Sequence, residues 1–192
     1  MAAAGDGRRV VFLGPPGSGK GTQAALLAGD LGVPAISTGD MLREAVANGS
    51  ELGRRVRKIM EAGELVSDDL MAEVVEERLA HPDTERGFLL DGYPRTAAQA
   101  ETLRRILDTA SGGLDHVVFI DVPEEELVRR AVKRQRADDK EDVVHERLRV
   151  YREKTEPLVE YYRAQGLLRE IDGNREVDTV RRAILDALEV NG

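Results

Sequence analysis

Apolar residues fall along this chain in two ways, as short unbroken runs and as long periodic stretches, and the two alternate. The runs "VVFL" (10–13), "FLLD" (88–91) and "HVVFID" (116–121) stay apolar on both faces, the pattern of strands buried in a parallel sheet. "LLREI" (167–171) and "PAIS" (34–37) are weaker runs of the same kind. Between the runs lie helical patterns. Ala24, Leu27, Ala28 and Leu31 make one apolar stripe, which Gly32 and Pro34 stop. Over 139–165, Val144, Leu148, Tyr151, Thr155, Leu158 and Tyr162 recur at intervals of four and three, which predicts one long amphipathic helix bent at Pro157. Strands alternating with helices predict an α/β fold, a parallel sheet of about five strands covered by helices on both faces.

Two segments break the alternation. Residues 37–66 read as a helical excursion with no strand behind it, and 129–139, "RRAVKRQRADD", as a dense charge block. Both predict small insertions above the sheet. The expected layout is therefore a core of 1–36, 67–132 and 140–192, an insertion at 37–66 and a short lid at 133–139.

Charge and composition narrow the chemistry. With 192 residues the chain is long enough for one domain with a sizeable core. A net charge of −8 argues against a general nucleic-acid binder, though a local basic cluster could still hold a small anion. The absence of cysteine excludes disulfides and Cys-based zinc sites. "MAAAGDGRR" lacks the apolar run of a secretory signal, and no stretch approaches the ~18 apolar residues of a transmembrane helix. A cytoplasmic protein without membrane or nucleic-acid partners is expected, with a monomer as the default. His81, His116 and His145 show no metal spacing, and the three Phe and four Tyr are too scattered for a base-stacking platform.

The stretch "GPPGSGKGT" (14–22) carries the first chemistry. It follows a strand and opens a helix, with Gly14, Gly19 and Lys20 at the spacing of the phosphate-loop pattern G-x-x-x-x-G-K-[ST]. Glycines let backbone N–H groups converge on phosphate oxygens, the helix N-terminus adds partial positive charge, and Lys20 adds a full one. The loop departs from the pattern at one place. Gly21 stands where Ser or Thr is usual, and the hydroxyl comes one residue later, at Thr22.

Two further segments fit an anion site. In "STGDMLR" (37–43), Ser37 or Thr38 reads as a helix N-cap, with Asp40 in the first turn and Arg43 beyond. In "DGYPRTAAQ" (91–99), Thr96 and Gln99 match a capping box. Asp91 ends a buried strand and Arg95 follows a tight turn, the place where ligands sit in open α/β sheets. A carboxylate there suits Mg²⁺ or its waters. Arg129, Arg130, Lys133, Arg134 and Arg136 crowd five cations into eight residues of an acidic chain, an arrangement that an anion would relieve. Asp138 and Asp139 follow, either to hold these arginines or to cap the next helix.

Taken together, "GPPGSGKGT", "STGDMLR", "DGYPRT…Q" and "RADD…R" resemble the adenylate kinase family of nucleoside-monophosphate kinases, in order and over essentially the whole chain. The resemblance implies a P-loop NTPase-type sheet and reversible, Mg²⁺-dependent transfer of the terminal phosphoryl group of ATP to AMP, giving two ADP. It implies that Gly17, Ser18, Gly19, Lys20, Gly21, Thr22, Arg130 and Arg134 bind ATP. On the AMP side it implies Thr38, Arg43, Glu64, Leu65, Val66, the Gly92-Tyr93-Pro94 turn, Arg95, Gln99, Arg136 and Arg147. Lys20, Arg95, Arg134, Arg136, Arg147 and Asp91 would carry the reaction, with Mg²⁺ held by phosphates and water and supported by Asp91. Thr38 and Gln99 favour adenine over the pyrimidine acceptors of the UMP/CMP kinases. A nucleotide-dependent switch would leave the acceptor-side arginines unexplained. The short spacing of Arg134 and Arg136 marks a short-lid form, with Gln135 and Arg175 at places where the family usually has Gly.

Overall fold

β1 (Arg9–Leu13) lies at the centre of a five-stranded sheet of order β2-β3-β1-β4-β5, in which every pairing is parallel. Its neighbours are β3 (Phe88–Asp91) and β4 (His116–Asp121), with β2 (Ala35–Ser37) and β5 (Leu168–Asp172) at the edges. The structure is a computed structural model that describes residues 8–110, 112–134, 136 and 139–189; Gln135 and Asp138 lie outside them.

The apolar runs become strands because both sheet faces are covered. Side chains alternate across a strand, so Val11, Leu13, Leu90 and Val117 enter one core, and Val10, Phe12, Leu89 and Val118 enter the other. The first core is closed by α2 (Thr38–Ala47), α3 (Glu51–Glu61), α4 (Asp68–Leu79), α5 (Ala97–Ala110) and α8 (Pro157–Ala164), through residues such as Leu42, Val56, Val75, Leu103 and Leu158. The second is closed by α1 (Lys20–Leu31), α6 (Glu124–Arg134), α7 (Glu141–Val150) and α9 (Val177–Glu189), through Leu27, Leu127, Leu148 and Ile184. Leu27 and Ile184 are fully buried, each worth about 2 kcal/mol of transfer free energy.

The connection leaving β1 runs towards β2 on one side, and that leaving β3 crosses to β4 on the other. Adjacent strands whose connections part in this way leave a crevice at their carboxyl ends. Phe12 pairs with Asp91, and Asp91 with Ser37, so the loops after β1, β2 and β3 open into the same crevice.

The predicted helix over 139–165 is interrupted before its proline. α7 ends at Val150, Tyr151–Thr155 form one wide π-helical turn, and Pro157 begins α8. Pro157 has no N–H to bond back one turn, and its ring crowds the preceding carbonyls. The chain widens instead, and Glu156 N–H reaches the carbonyl of Tyr151 at 2.9 Å.

Candidate active site

The phosphate loop takes its shape from glycine. Gly17 has φ 86°, and a Cβ there would lie 2.8 Å from the carbonyl oxygen of Leu127. An L-residue at this position meets both torsional strain and a collision with backbone. Gly19 caps α1 without a side chain, and no acidic residue occupies the first turn of that helix. The helix start is therefore left to attract anions.

Lys20 Nζ donates to the carbonyls of Gly14 at 2.9 Å and Pro15 at 3.1 Å. Burial pushes its pKa down to about 8, aided by Arg95, Arg147 and Arg134 and opposed by Asp91. Each of these neighbours belongs to the predicted set.

A cavity of about 340 Å³ opens above the loop. Gly17, Gly19, Lys20, Gly21 and Thr22 line its floor, with Asp91, Gly92 and Pro94 beside them. Arg43 and Arg95 reach it from the β2 and β3 side, Arg134 from α6, Arg136 from the segment after α6 and Arg147 from α7. A smaller lobe continues it, lined by Thr38, Arg43, Glu64, Leu65, Val66, Gly92, Arg95, Gln99 and Arg147. The two lobes share Arg43, Arg95 and Arg147.

Local bonds fix these groups. Ser37 is the N-cap of α2, accepting the N–H of Asp40 at 3.2 Å. Thr38 Oγ1 donates to the Asp91 carbonyl at 3.3 Å and ties β2 to β3. Gly92 has φ 90°, and a Cβ there would stand 2.5 Å from Thr38 Oγ1, so only glycine permits this approach. Thr96 Oγ1 accepts from Gln99 N–H at 3.2 Å, and Gln99 Oε1 accepts from Arg95 N–H at 2.7 Å. The capping box thus closes on Arg95 rather than on Thr96 itself. Arg95 Nε donates to the Gly92 carbonyl at 2.8 Å, and Thr155, from the π-helical turn, donates to the Arg95 carbonyl at 2.8 Å.

Asp139 settles the role of its charge block. Its carboxylate accepts from Arg134 at 2.6 and 2.9 Å, from the Arg136 N–H at 2.9 Å and from Arg147 at 3.4 Å. Burial opposes its charge, but these donors overcome that and hold the carboxyl below its usual range. The N-cap of α7 is Lys140, so Asp139 positions arginines and does not cap the helix.

Three predicted residues stand apart from the cavity wall. Ser18 is buried in the loop. Tyr93 is 1% exposed within the core; burial pushes its hydroxyl pKa up to about 12, reinforced by Asp68. Arg130 bonds Glu126 at 2.6 Å and the Gly173 carbonyl at 3.2 Å, beside the segment that contains Arg175. Arg175 itself is exposed and pairs with Asp172 at 2.7 Å. Gly63, Val150, Tyr151 and Thr155 also wall the cavity, and Gln23 Nε2 donates to the Val177 carbonyl at 3.0 Å; no motif in the sequence marks any of them.

The sequence profile described as Adenylate kinase matches residues 12–167. This chain belongs to the adenylate kinase family. A Thermus thermophilus adenylate kinase is 54% identical over 188 residues, covering 96% of this chain and 98% of its own length. One from Nocardia farcinica is 51% identical over 180 residues, covering 94% and 98% respectively. One from Archaeoglobus fulgidus is 44% identical over 211 residues, covering 94% and 97%. As a member of the adenylate kinase family the chain is an enzyme, a nucleotide-binding kinase whose reaction is phosphoryl transfer between ATP and AMP. No helix among the described residues is long and apolar enough to cross a membrane.

Proposed function

We propose that the cavity holds ATP and AMP end to end, and that its residues divide the transfer as follows. Gly17, Gly19, Lys20, Gly21 and Thr22 enclose the donor's phosphates with Arg134, while the buried Ser18 shapes the loop and Arg130 flanks the donor from α6. Arg43 and Arg95 take the acceptor phosphate, joined by Arg136 and Arg147. Thr38, Gln99, Glu64, Leu65 and Val66 bound the smaller lobe, which suits the acceptor's adenine. Gly92 and Pro94 shape its entrance, and Tyr93 anchors their turn in the core. The observation that carries this reading is the single cavity in which Lys20 faces guanidinium groups from both sides.

Such a site works by positioning and charge. The acceptor phosphate is already an anionic nucleophile and needs no general base. Arg134, Arg136 and Arg147 stabilise charge spread over the transferring group, while Lys20 follows the terminal phosphates. Arginine suits the task because its planar fork makes paired bonds to phosphate.

The residues present fit Mg²⁺ carried by the nucleotide. Asp91 offers hard oxygen donors on the cavity wall, and a Cβ at Gly21 would come within 3.4 Å of its Oδ2, so glycine keeps the space before that carboxylate clear. Bound there, the ion would neutralise phosphate charge.

Segments 37–66 and 133–139 form the two covers in this reading. They already approach one another, with Arg136 Nη2 at 3.7 Å from Asp40 Oδ1. Closure excludes water and so protects ATP from hydrolysis, the role for which the lid of this family is a standard example. A distance probe between the two segments reads closure with a bisubstrate adenosine polyphosphate; an unchanged separation would count against two moving covers. A monomer and a cytoplasmic site of action complete the reading.

The decisive assay supplies ADP and Mg²⁺ alone. Equal amounts of ATP and AMP are expected, and AMP should exceed CMP and UMP as acceptor. ATP formation without AMP, or equal use of all three acceptors, would refute this assignment.

A further inference from the structure

Three carboxylates share the cations of the cavity, and they differ in access. Asp139 is enclosed, its side chain 1% exposed. Asp91 lies near Lys20 on the cavity wall. Asp40 stands at the open wall, its side chain 61% exposed. Its Oδ1 accepts from Arg43 Nη2 at 2.5 Å and Nε at 3.2 Å, and the same oxygen lies 3.7 Å from Arg136 Nη2. Arg43 belongs to α2 and Arg136 to the segment after α6, so a single oxygen gathers guanidinium groups from both covers. Burial opposes the charge of Asp40, but Arg43, Arg136 and Ser37 together hold its carboxyl below the usual range.

The backbone of Asp40 is pinned by the Ser37 cap, while its side chain is largely open to water. An arginine fork binds carboxylate and phosphate through the same paired bonds. A phosphate oxygen placed between Arg43 and Arg136 would need the position that Asp40 Oδ1 holds, and the two anions repel at that range.

We propose that Asp40 is a positioning residue that acts as an internal stand-in for the acceptor's phosphate. Its carboxylate keeps Arg43 and Arg136 gathered, yields them when a phosphomonoester arrives, and takes them back as the product leaves. Affinity for the acceptor is thereby held down, and release is made easier. This rests on the assignment of Arg43 and Arg136 to the acceptor phosphate.

The test uses the full chain and two ligands of different charge, AMP and adenosine 5′-sulfate, titrated by calorimetry. Displacement of a competitor adds the same penalty to every anion. Asp40→Asn and Asp40→Ala should therefore tighten both ligands by the same factor, about tenfold. In turnover, KM for AMP should fall with kcat, because release slows, while KM for ATP stays unchanged. If the dianion gained by roughly the square of the monoanion's factor, Asp40 would be acting through its field alone and the proposal would be overturned. Unchanged or weaker binding of both ligands would overturn it too. Arg43→Lys separates the two levels. If it leaves AMP affinity intact, the assignment of Arg43 fails; if it weakens AMP while both Asp40 variants match the parent, only the role of Asp40 fails.

Discussion

Asp139 and Arg134 meet in a two-pronged ion pair, Nη2 to Oδ1 at 2.6 Å and Nε to Oδ2 at 2.9 Å. The carboxylate is almost wholly enclosed, and the guanidinium still reaches the cavity. Asp139→Asn keeps the shape but removes the charge that holds Arg134 and Arg147. The expected loss is about 2 kcal/mol of stability, less than for a fully buried pair because Arg134 is partly exposed. A larger fall in kcat than in nucleotide affinity should accompany it. Urea unfolding and steady-state kinetics read the two effects.

The same pair makes a pH prediction. The folded-state pKa of Asp139 is depressed, so its stabilising contribution is present above the unfolded-state value near ~3.9 and is lost as pH falls through the lower folded value. The stability difference between parent and Asp139→Asn should thus be full at pH 7 and shrink in acid. Unfolding curves at stepped pH check it.

Lys20 predicts the opposite side of neutrality. Its folded-state pKa of about 8 lies below the ordinary lysine value, chiefly through burial. Between about 8 and the unfolded value near ~10.4 the unfolded chain binds more protons, so this group makes stability rise with pH across that window. Polyphosphate binding restores the charge. At pH 8.5, ATP binding should take up a proton, and affinity should fall from pH 7 to 9.5. Calorimetry in two buffers of different ionisation enthalpy measures the uptake, and Lys20→Met should abolish it.

Gly21 faces Asp91 across 3.4 Å from where its Cβ would begin. A serine there would bring its hydroxyl to that carboxylate and occupy the approach to Lys20. Gly21→Ser should lower kcat about tenfold, roughly 1.4 kcal/mol of barrier, with ATP affinity nearly unchanged. Equal turnover in single-turnover assays would refute this use of glycine.

Gln99 joins stability to recognition. Its Oε1 satisfies the Arg95 N–H, and the side chain lines the acceptor lobe while only 2% exposed. Gln99→Leu leaves that N–H without its partner, at a cost of about 1–3 kcal/mol. KM for AMP should rise more than KM for ATP, as comparison of the two saturation curves will show.

The strands were legible because both sheet faces are buried, so Val10–Leu13 and Phe88–Leu90 read as unbroken apolar runs. The phosphate loop and the arginines were legible because their chemistry is local in sequence. The π-helical turn was not, since the spacing of Tyr151, Thr155 and Leu158 fits a regular helix equally well. Nor were the pairings of Asp40 with Arg136 or Gln23 with Val177. Those partners lie far apart along the chain, and only the stacking of α1, α2, α6 and α9 on the sheet brings them together.

The wide turn at Tyr151–Thr155 has a consequence for chain length. It absorbs one residue more than a regular turn while delivering Thr155 to Arg95 and Leu158 and Tyr162 to the core. Deleting one residue from this stretch would let it relax into ordinary winding with Leu158 and Tyr162 still in phase, whereas adding one would swing everything downstream by about 100° about the axis. Spacing between Val150 and Pro157 is therefore lopsided in what it permits: losing a residue should disturb chiefly the Thr155–Arg95 bond, while gaining one should turn Leu158 and Tyr162 out of the core.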